Sequence, residues 1–116
     1  MTVFDIVKSF GLETRAGKDH LDEEVTGGYA SDLLSDVIAH GRKGNLWITI
    51  QTHPNIVAVA TMKELAGIIL TGGREPDPGT LQKAEEEGIP ILVSPVFTFE
   101  LVGRLYQKGI SGLSPC

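Results

Sequence analysis

The chain has 116 residues, of which 41% are hydrophobic and 22% charged, a balance that excludes a disordered polypeptide and fits one folded domain. The formal net charge of −5 excludes the basic footprint by which proteins bind nucleic acid. No apolar run approaches the roughly 20 residues of a membrane span, and no basic, apolar leader opens the chain. The single cysteine, Cys116, excludes an internal disulfide, so we expect a cytoplasmic protein.

The N-terminal segment 1–17 is predicted to be a helix or arm followed by a short edge strand. Thr2-Val3-Phe4-Asp5 has the form of a capping box, which predicts a helix over residues 3–10 that ends at Gly11. The brief edge strand is expected within residues 12–17.

An acidic segment, residues 18–24, comes next. Asp19, His20 and Asp22 are either metal ligands or part of a solvated loop, and three mixed ligands on one short segment rarely fix a metal geometry. We therefore predict no metal site.

The middle of the chain alternates strand and helix patterns. Residues 25–30 have strand propensity interrupted by Gly27 and Gly28, which indicates a bulge or the close approach of another backbone or a ligand. Ser31 is predicted to cap a helix that ends at Gly41, and residues 45–50 form the next strand. The buried face of that helix is predicted to consist of Leu33, Leu34, Val37 and Ile38.

Residues 56–60 are ambiguous because their β-branched side chains favour a strand. We predict a helix over residues 54–64, since Pro54 suits a first helical turn and two parallel strands need a crossover between them.

The chain is organised around residues 66–76, in which a buried strand, Ile68-Ile69-Leu70, runs into a turn at Gly72-Gly73. A continuous apolar run is typical of a central parallel strand. The two glycines are expected to leave N–H groups uncovered at the carboxyl end of this strand.

Two further helices and one strand complete the prediction. Asp77 caps a helix that has Pro78 at its first position and ends at Gly88, and residues 89–93 form the last strand. Thr98 is predicted to cap a final helix, which ends at Gly109, and residues 111–116 are predicted to be a flexible tail. The buried stripe of this helix is predicted to consist of Leu101, Val102, Leu105 and Tyr106.

This alternation predicts a single α/β domain, a three-layer sandwich with a mostly parallel central sheet of about four to five strands. In such sheets ligands bind outside the carboxyl ends of the strands, where the strand order reverses and helix N-termini point. The candidate residues for a small anion or nucleotide are Thr26, Gly27, Gly28, Thr52, His53, Thr71, Gly72, Gly73, Arg74 and Ser94.

Each candidate has a structural alternative. Thr71 and Ser94 are equally suited to hydrogen bonds within their own turns, and Arg74 to a solvated surface position. His53 is either a helix-cap residue or a general base, but no nucleophile accompanies it. Because Walker, dinucleotide-binding, nucleophile-elbow and Cys-x-x-Cys motifs are all absent, we predict no catalytic residues and no bound cofactor beyond a possible nucleotide or phosphate.

Thr26-Gly27-Gly28, with residues 66–73 and 78–95, gives the chain a family resemblance. From about Val25 to Gly109 it resembles a DRTGG domain, although Glu24 and Val25 stand in place of the Asp and Arg of that motif. Gln51-Thr52-His53 likewise replaces the Gly-Asp-Arg that often follows the second strand in such domains. The resemblance implies a fold similar to the N-terminal domain of HPr kinase/phosphorylase. It also implies an accessory, non-catalytic module, as found in long phosphate acetyltransferases and between the CBS domains of some pyrophosphatases, associated with regulation and self-association.

Three functions follow as hypotheses. The first is a stand-alone regulatory domain that senses a ligand and forms a homodimer. The second is an interaction module without a small ligand, whose surface would include exposed aromatic residues among Tyr29, Trp47, Phe97 and Phe99, with core packing as the alternative for Trp47. The third is a small phospho- or acyl-transfer enzyme that uses His53 and Arg74.

Overall fold

Five strands and five α-helices lie within residues 1–113, the part of the chain that the structure, a computed structural model, describes. The elements are α1 (Val3–Phe10), β1 (Glu13–Ala16), β2 (Gly27–Ala30), α2 (Leu34–His40), β3 (Asn45–Thr49), α3 (Asn55–Met62), β4 (Gly67–Leu70), α4 (Pro78–Glu87), β5 (Ile91–Val93) and α5 (Thr98–Gln107). The last three residues of the predicted tail, which include Cys116, lie outside the described part.

The sheet has the order β1-β5-β4-β3-β2. The four strands β2 to β5 run parallel, with Trp47 opposite Ile68 and Ile69 opposite Leu92. Strand β1 pairs antiparallel with β5 at one edge, which confirms the short edge strand predicted within residues 12–17. The prediction of a mostly parallel α/β sheet of four to five strands is thus confirmed.

Two hydrophobic clusters cover the two faces of the sheet and make it the middle layer of three. Strands β2, β3, β4 and β5 follow one another across the sheet in one direction, so right-handed crossovers place α2, α3 and α4 on the same face. Helices α1 and α5 cover the other face. The first cluster includes Val37, Trp47, Ile56, Ile68 and Ala84, and the second Ile6, Leu46, Ile69, Leu92 and Leu101.

The ambiguous segment 56–60 is helical, as predicted. Ile56, Val57, Val59 and Ala60 are all buried, because α3 lies between two other helices and the sheet. Its β-branched residues therefore contribute to the core from a helix, where tertiary packing outweighs their weak preference for strands.

Helix α1 begins as predicted. Thr2 Oγ1 accepts a hydrogen bond from Asp5 N, and the Asp5 carboxylate accepts one from Thr2 N. Val3 and Ile6 have no exposed surface, so this helix is a layer of the core and not a peripheral arm.

Two predicted helix caps are wrong. Helix α2 begins after Leu33, and not after Ser31, whose Oγ accepts a hydrogen bond from Leu33 N outside the helix. The next residue, Asp32, accepts hydrogen bonds from Thr49 Oγ1 and Ile50 N at the end of β3. Helix α5 begins after Phe97, because the Thr98 hydroxyl bonds to Thr71 Oγ1 instead of the helix backbone.

The predicted apolar stripes of these two helices are only partly buried. In α2, Val37 is buried but Ile38 is exposed, and in α5 the side chain of Tyr106 is 65% exposed. The inward stripe of α5 consists of Leu101 and Leu105. The margins of both predicted stripes are therefore exposed to solvent.

Candidate functional site

The carboxyl ends of β3, β4 and β5 lie along one edge of the sheet, because these strands are parallel. We call it the carboxyl edge. Seven of the ten predicted site residues follow these strands, namely Thr52, His53, Thr71, Gly72, Gly73, Arg74 and Ser94.

Thr26, Gly27 and Gly28 lie at the opposite edge, and their expected place at the carboxyl edge is wrong. Gly27 opens β2 and stands opposite Asn45, the first residue of β3. Thr26 Oγ1 donates to the carbonyl of Lys43 over 2.7 Å. The motif spans the start of β2, so it lies at the end of the sheet where the parallel strands begin, which we call the amino edge.

The strand order across β2 to β5 never reverses, so the crevice expected at a point of reversal is absent from the described sheet. The nearest equivalent lies between β4 and β5, because α4 and α5, which follow them, lie on opposite faces. Here the loop after Leu70 and the loop after Val93 separate.

Hydrogen bonds close the gap between these two loops. Gly72 and Gly73 have positive φ angles of 66° and 74°, which glycine adopts without strain. Their N–H groups donate to the carbonyls of Val96 and Ser94, both over 2.9 Å. The expectation that these amides are uncovered is therefore wrong, and they do not form an anion cradle.

The hydroxyl groups of Thr71 and Ser94 at this edge are also engaged, the first across to the start of α5 and the second within its own loop. Thr71 has no exposed surface, and its Oγ1 lies 2.7 Å from Thr98 Oγ1. Ser94 is 1% exposed and its Oγ accepts a hydrogen bond from Val96 N over 3.1 Å. Both residues hold the start of α5 against the sheet.

Thr52 and His53 position two helix starts. The carbonyl of Thr52 accepts hydrogen bonds from Asp77 N and Thr80 Oγ1, at the beginning of α4. His53 Nδ1 accepts one from Asn55 N, over 3.2 Å, at the beginning of α3. The helix-cap alternative for His53 is the one the geometry favours.

Arg74 is a predicted site residue whose charged side chain remains available to a ligand. Its side chain is exposed, donates from Nη1 to the carbonyl of Thr71 over 3.3 Å, and makes no ion pair within residues 1–113. Arg74 Nη1 and the ring of Phe97 lie 2.5 Å and 3.2 Å from the place that a Cβ on Gly72 would take. The missing side chain at Gly72 thus brings a guanidinium and an aromatic ring together.

A second guanidinium at the carboxyl edge, Arg15 of β1, was missed by the sequence reasoning. It donates from Nε and Nη2 to the two carboxylate oxygens of Glu75, over 2.8 and 3.0 Å, and from Nη1 to Glu13. These bonds raise the pKa of Arg15, and the hydrogen bond from Arg15 lowers the pKa of Glu75 below its ordinary value. The adjoining cavity has a volume of 180 Å³ and is too small and too acidic to attract a nucleotide.

A third polar cluster joins β2 to α2. Tyr29 donates its hydroxyl proton to Asp36 over 2.8 Å, and His40 Nδ1 lies 3.1 Å from the same carboxylate. The hydrogen bond to Asp36 raises the pKa of Tyr29. The hydrogen bonds that Asp36 accepts, the one from Tyr29 first among them, lower the pKa of Asp36. No sequence motif indicated this cluster, because its residues meet only when β2 and α2 pack together.

Two other cavities, both larger than the one beside Arg15, lie away from the carboxyl edge. One, of 510 Å³, lies at the amino edge beside Thr26, Lys43 and Glu64. The other, of 360 Å³, lies between β2 and α5. Among residues 1–113, no three His, Cys, Asp or Glu side chains are grouped to hold a metal ion, and no helix is long and apolar enough to cross a membrane.

Fold and site together define a small three-layer α/β module. A family model described as the DRTGG domain matches residues 5–108, so the chain belongs to that family. The structure is similar to one described as the CBS and DRTGG domains of the regulatory region of Clostridium perfringens pyrophosphatase, complexed with the activator diadenosine tetraphosphate, with a TM-score of 0.73 and 15% identity. That similarity covers 95% of this chain but 47% of the other, so this chain spans about half of its length. No curated protein matches the sequence.

Proposed function

We propose that this chain is a non-catalytic regulatory module that binds a small anion or nucleotide beside Arg74 and that forms homodimers. The observation that carries the ligand site is the exposed guanidinium of Arg74, which lies beside the ring of Phe97 without a carboxylate partner in the described residues. A guanidinium binds phosphate oxygens through charge-assisted hydrogen bonds, and an aromatic ring stacks with a base.

The position of this pair supports the same proposal. Arg74, in the loop after β4, and Phe97, in the loop after β5, lie at the start of α5, whose dipole favours a negative charge. The nucleotide activator bound by the regulatory region of the pyrophosphatase is consistent with a sensing role for a related module.

Ligand binding is tested by thermal shift and calorimetry with pyrophosphate and ATP as probes. A ligand at 100-fold its dissociation constant stabilises the fold by about 2.7 kcal/mol. We expect Arg74→Ala to weaken binding by about 1.5–3 kcal/mol, the usual contribution of a hydrogen bond to a charged group. Arg42→Ala, which removes an exposed arginine near the amino edge, is the control of equal charge and should bind as the unmodified protein does. Failure of both probes to bind, or equal binding by Arg74→Ala, would contradict the proposal.

Self-association is supported by the apolar surface at the start of α5. Phe97 and Phe99 are 72% and 92% exposed, and adjacent exposed aromatic side chains are typical of protein interfaces. If dimers form but neither probe binds, the chain is an interaction module without a small ligand, which is our second candidate.

A further inference from the structure

The groove of 360 Å³ between β2 and α5 has the size of a small-molecule site. The groove exists because the residues of β2 that face α5 are Gly28, which has no side chain, and Ala30, which has only a methyl group. Neither fills the space beside Ile48. Val102 and Ile110 form apolar walls.

Unpaired backbone groups border this groove. The N–H of Ser31 donates to Ile48 and that of Gly28 to Ser111, so the two groups point to opposite sides of β2. Since the direction alternates along a strand, the carbonyl of Gly28 and the N–H of Ala30 point to the open side together. Neither has a hydrogen-bond partner among residues 1–113, and Ala30 is exposed.

We propose that this groove binds a planar heteroaromatic ring that has an amino group next to a ring nitrogen, as adenine has. The amino group donates to the carbonyl of Gly28, and the ring nitrogen accepts from the N–H of Ala30. The ring packs against Val102 and Ile110. This site needs no negative charge on the ligand, and it is separate from the site proposed at Arg74.

A small ring suits this edge better than another polypeptide strand. Strand addition needs a row of free backbone groups, but Ser111 already occupies the open side of β2 at Gly28, and Gly112 lies beside the carbonyl of Gly28. Gly112 has no side chain that could lie over the Gly28 carbonyl.

Adenosine is the probe, and the amide resonance of Ala30 in ¹H–¹⁵N spectra is the readout. We expect a saturable shift of that resonance, and no binding by N1-methyladenosine, whose ring nitrogen is blocked. Val102→Phe should fill the groove and weaken adenosine binding by about tenfold or more. Ile38→Phe, an equally apolar enlargement at an exposed position of α2 on the other face, should leave it unchanged.

Ala30→Pro tests the hydrogen bond itself, because proline lacks the N–H and is tolerated on the open side of an edge strand. We expect loss of binding by at least the same factor. If this variant does not fold, Val102→Phe and N1-methyladenosine still decide the question.

Four results would overturn the inference. They are the absence of an Ala30 shift, binding of N1-methyladenosine as tight as that of adenosine, undiminished binding by Val102→Phe, and dissociation of a dimer by Val102→Phe in sedimentation, which would assign the groove to a second copy. Because adenosine has no phosphate, the Arg74→Ala variant should bind adenosine as the unmodified protein does. The proposal for this groove and the proposal for Arg74 can therefore be contradicted independently.

Discussion

Gly27 shows why a glycine of the family motif is needed in this chain. The carbonyl oxygen of Ser111 lies 2.7 Å from the place that a Cβ on residue 27 would take, closer than Cβ contacts allow. The prediction that glycine in this strand indicates a close approach is therefore confirmed, and the approaching group is backbone. At this position the motif serves to dock the segment after α5 against β2.

Replacing Gly27 with alanine should destabilise the fold by about 1–3 kcal/mol, the usual cost of overpacking, since the obstructing atom is backbone. Gly103→Ala is the matched control. Gly103 is exposed in the middle of α5, with no atom within 4 Å of its missing Cβ, so alanine there should stabilise by about 0.5–1 kcal/mol. Urea unfolding measures both free energies. Equal effects of the two substitutions would show that Ser111 does not constrain residue 27.

At the scale of elements, the Arg15–Glu75 pair joins the edge strand β1 to the loop that follows β4. Because Arg15 lowers the pKa of Glu75 below its ordinary value of 4.5, the folded state favours the ionised carboxylate. The resulting stability is present above the unfolded pKa and is lost as the pH falls through the folded pKa.

Glu75→Gln should therefore lower the free energy of unfolding at neutral pH. The difference from the unmodified protein should disappear as the pH falls from the ordinary value of 4.5 through the lowered pKa of Glu75. Glu86→Gln, an exposed position on α4, is the control and should give no pH-dependent difference. The measurement is urea unfolding across this pH range. A difference that stays constant with pH would mean that the pair does not respond to protonation. The effect is modest because the Glu75 side chain is 55% exposed.

The order of elements was predictable because each depends on local pattern. The apolar run at Ile68–Leu70 is buried on both faces, and the position of α3 followed from the crossover that parallel strands need. The starts of α2 and α5 were not predictable from local pattern. Asp32, which follows the predicted cap Ser31, bonds to the end of β3, and the predicted cap Thr98 bonds to Thr71. Local rules for helix caps do not include such competition.

At the scale of the whole molecule, the order of the strands in the sheet decides where a ligand can bind. Because β2 to β5 succeed one another without reversal, no open crevice forms among the described strands, and the loops after β4 and β5 bond to each other. The sequence correctly predicted that seven candidate residues lie at the carboxyl edge. It could not show that the N–H groups of Gly72 and Gly73 already donate hydrogen bonds to the loop after β5. That outcome depends on the distance between two loops, which no local motif encodes.

The surface of the whole molecule leads to the prediction on assembly. Phe99 is 92% exposed on α5, and a two-fold axis beside it would bury the ring against its copy. We expect sedimentation equilibrium to give twice the chain mass of 12.4 kDa, and Phe99→Ser to give the single mass. Met62→Ser, which removes a side chain that is 61% exposed on α3, at the opposite face of the sheet, should leave the dimer intact. A monomer at high concentration would contradict self-association, and a dimer that survives Phe99→Ser would place the interface elsewhere.

Because Phe99 does not line the groove beside β2, the Phe99→Ser substitution should also leave adenosine binding unchanged, which separates assembly from ligand recognition.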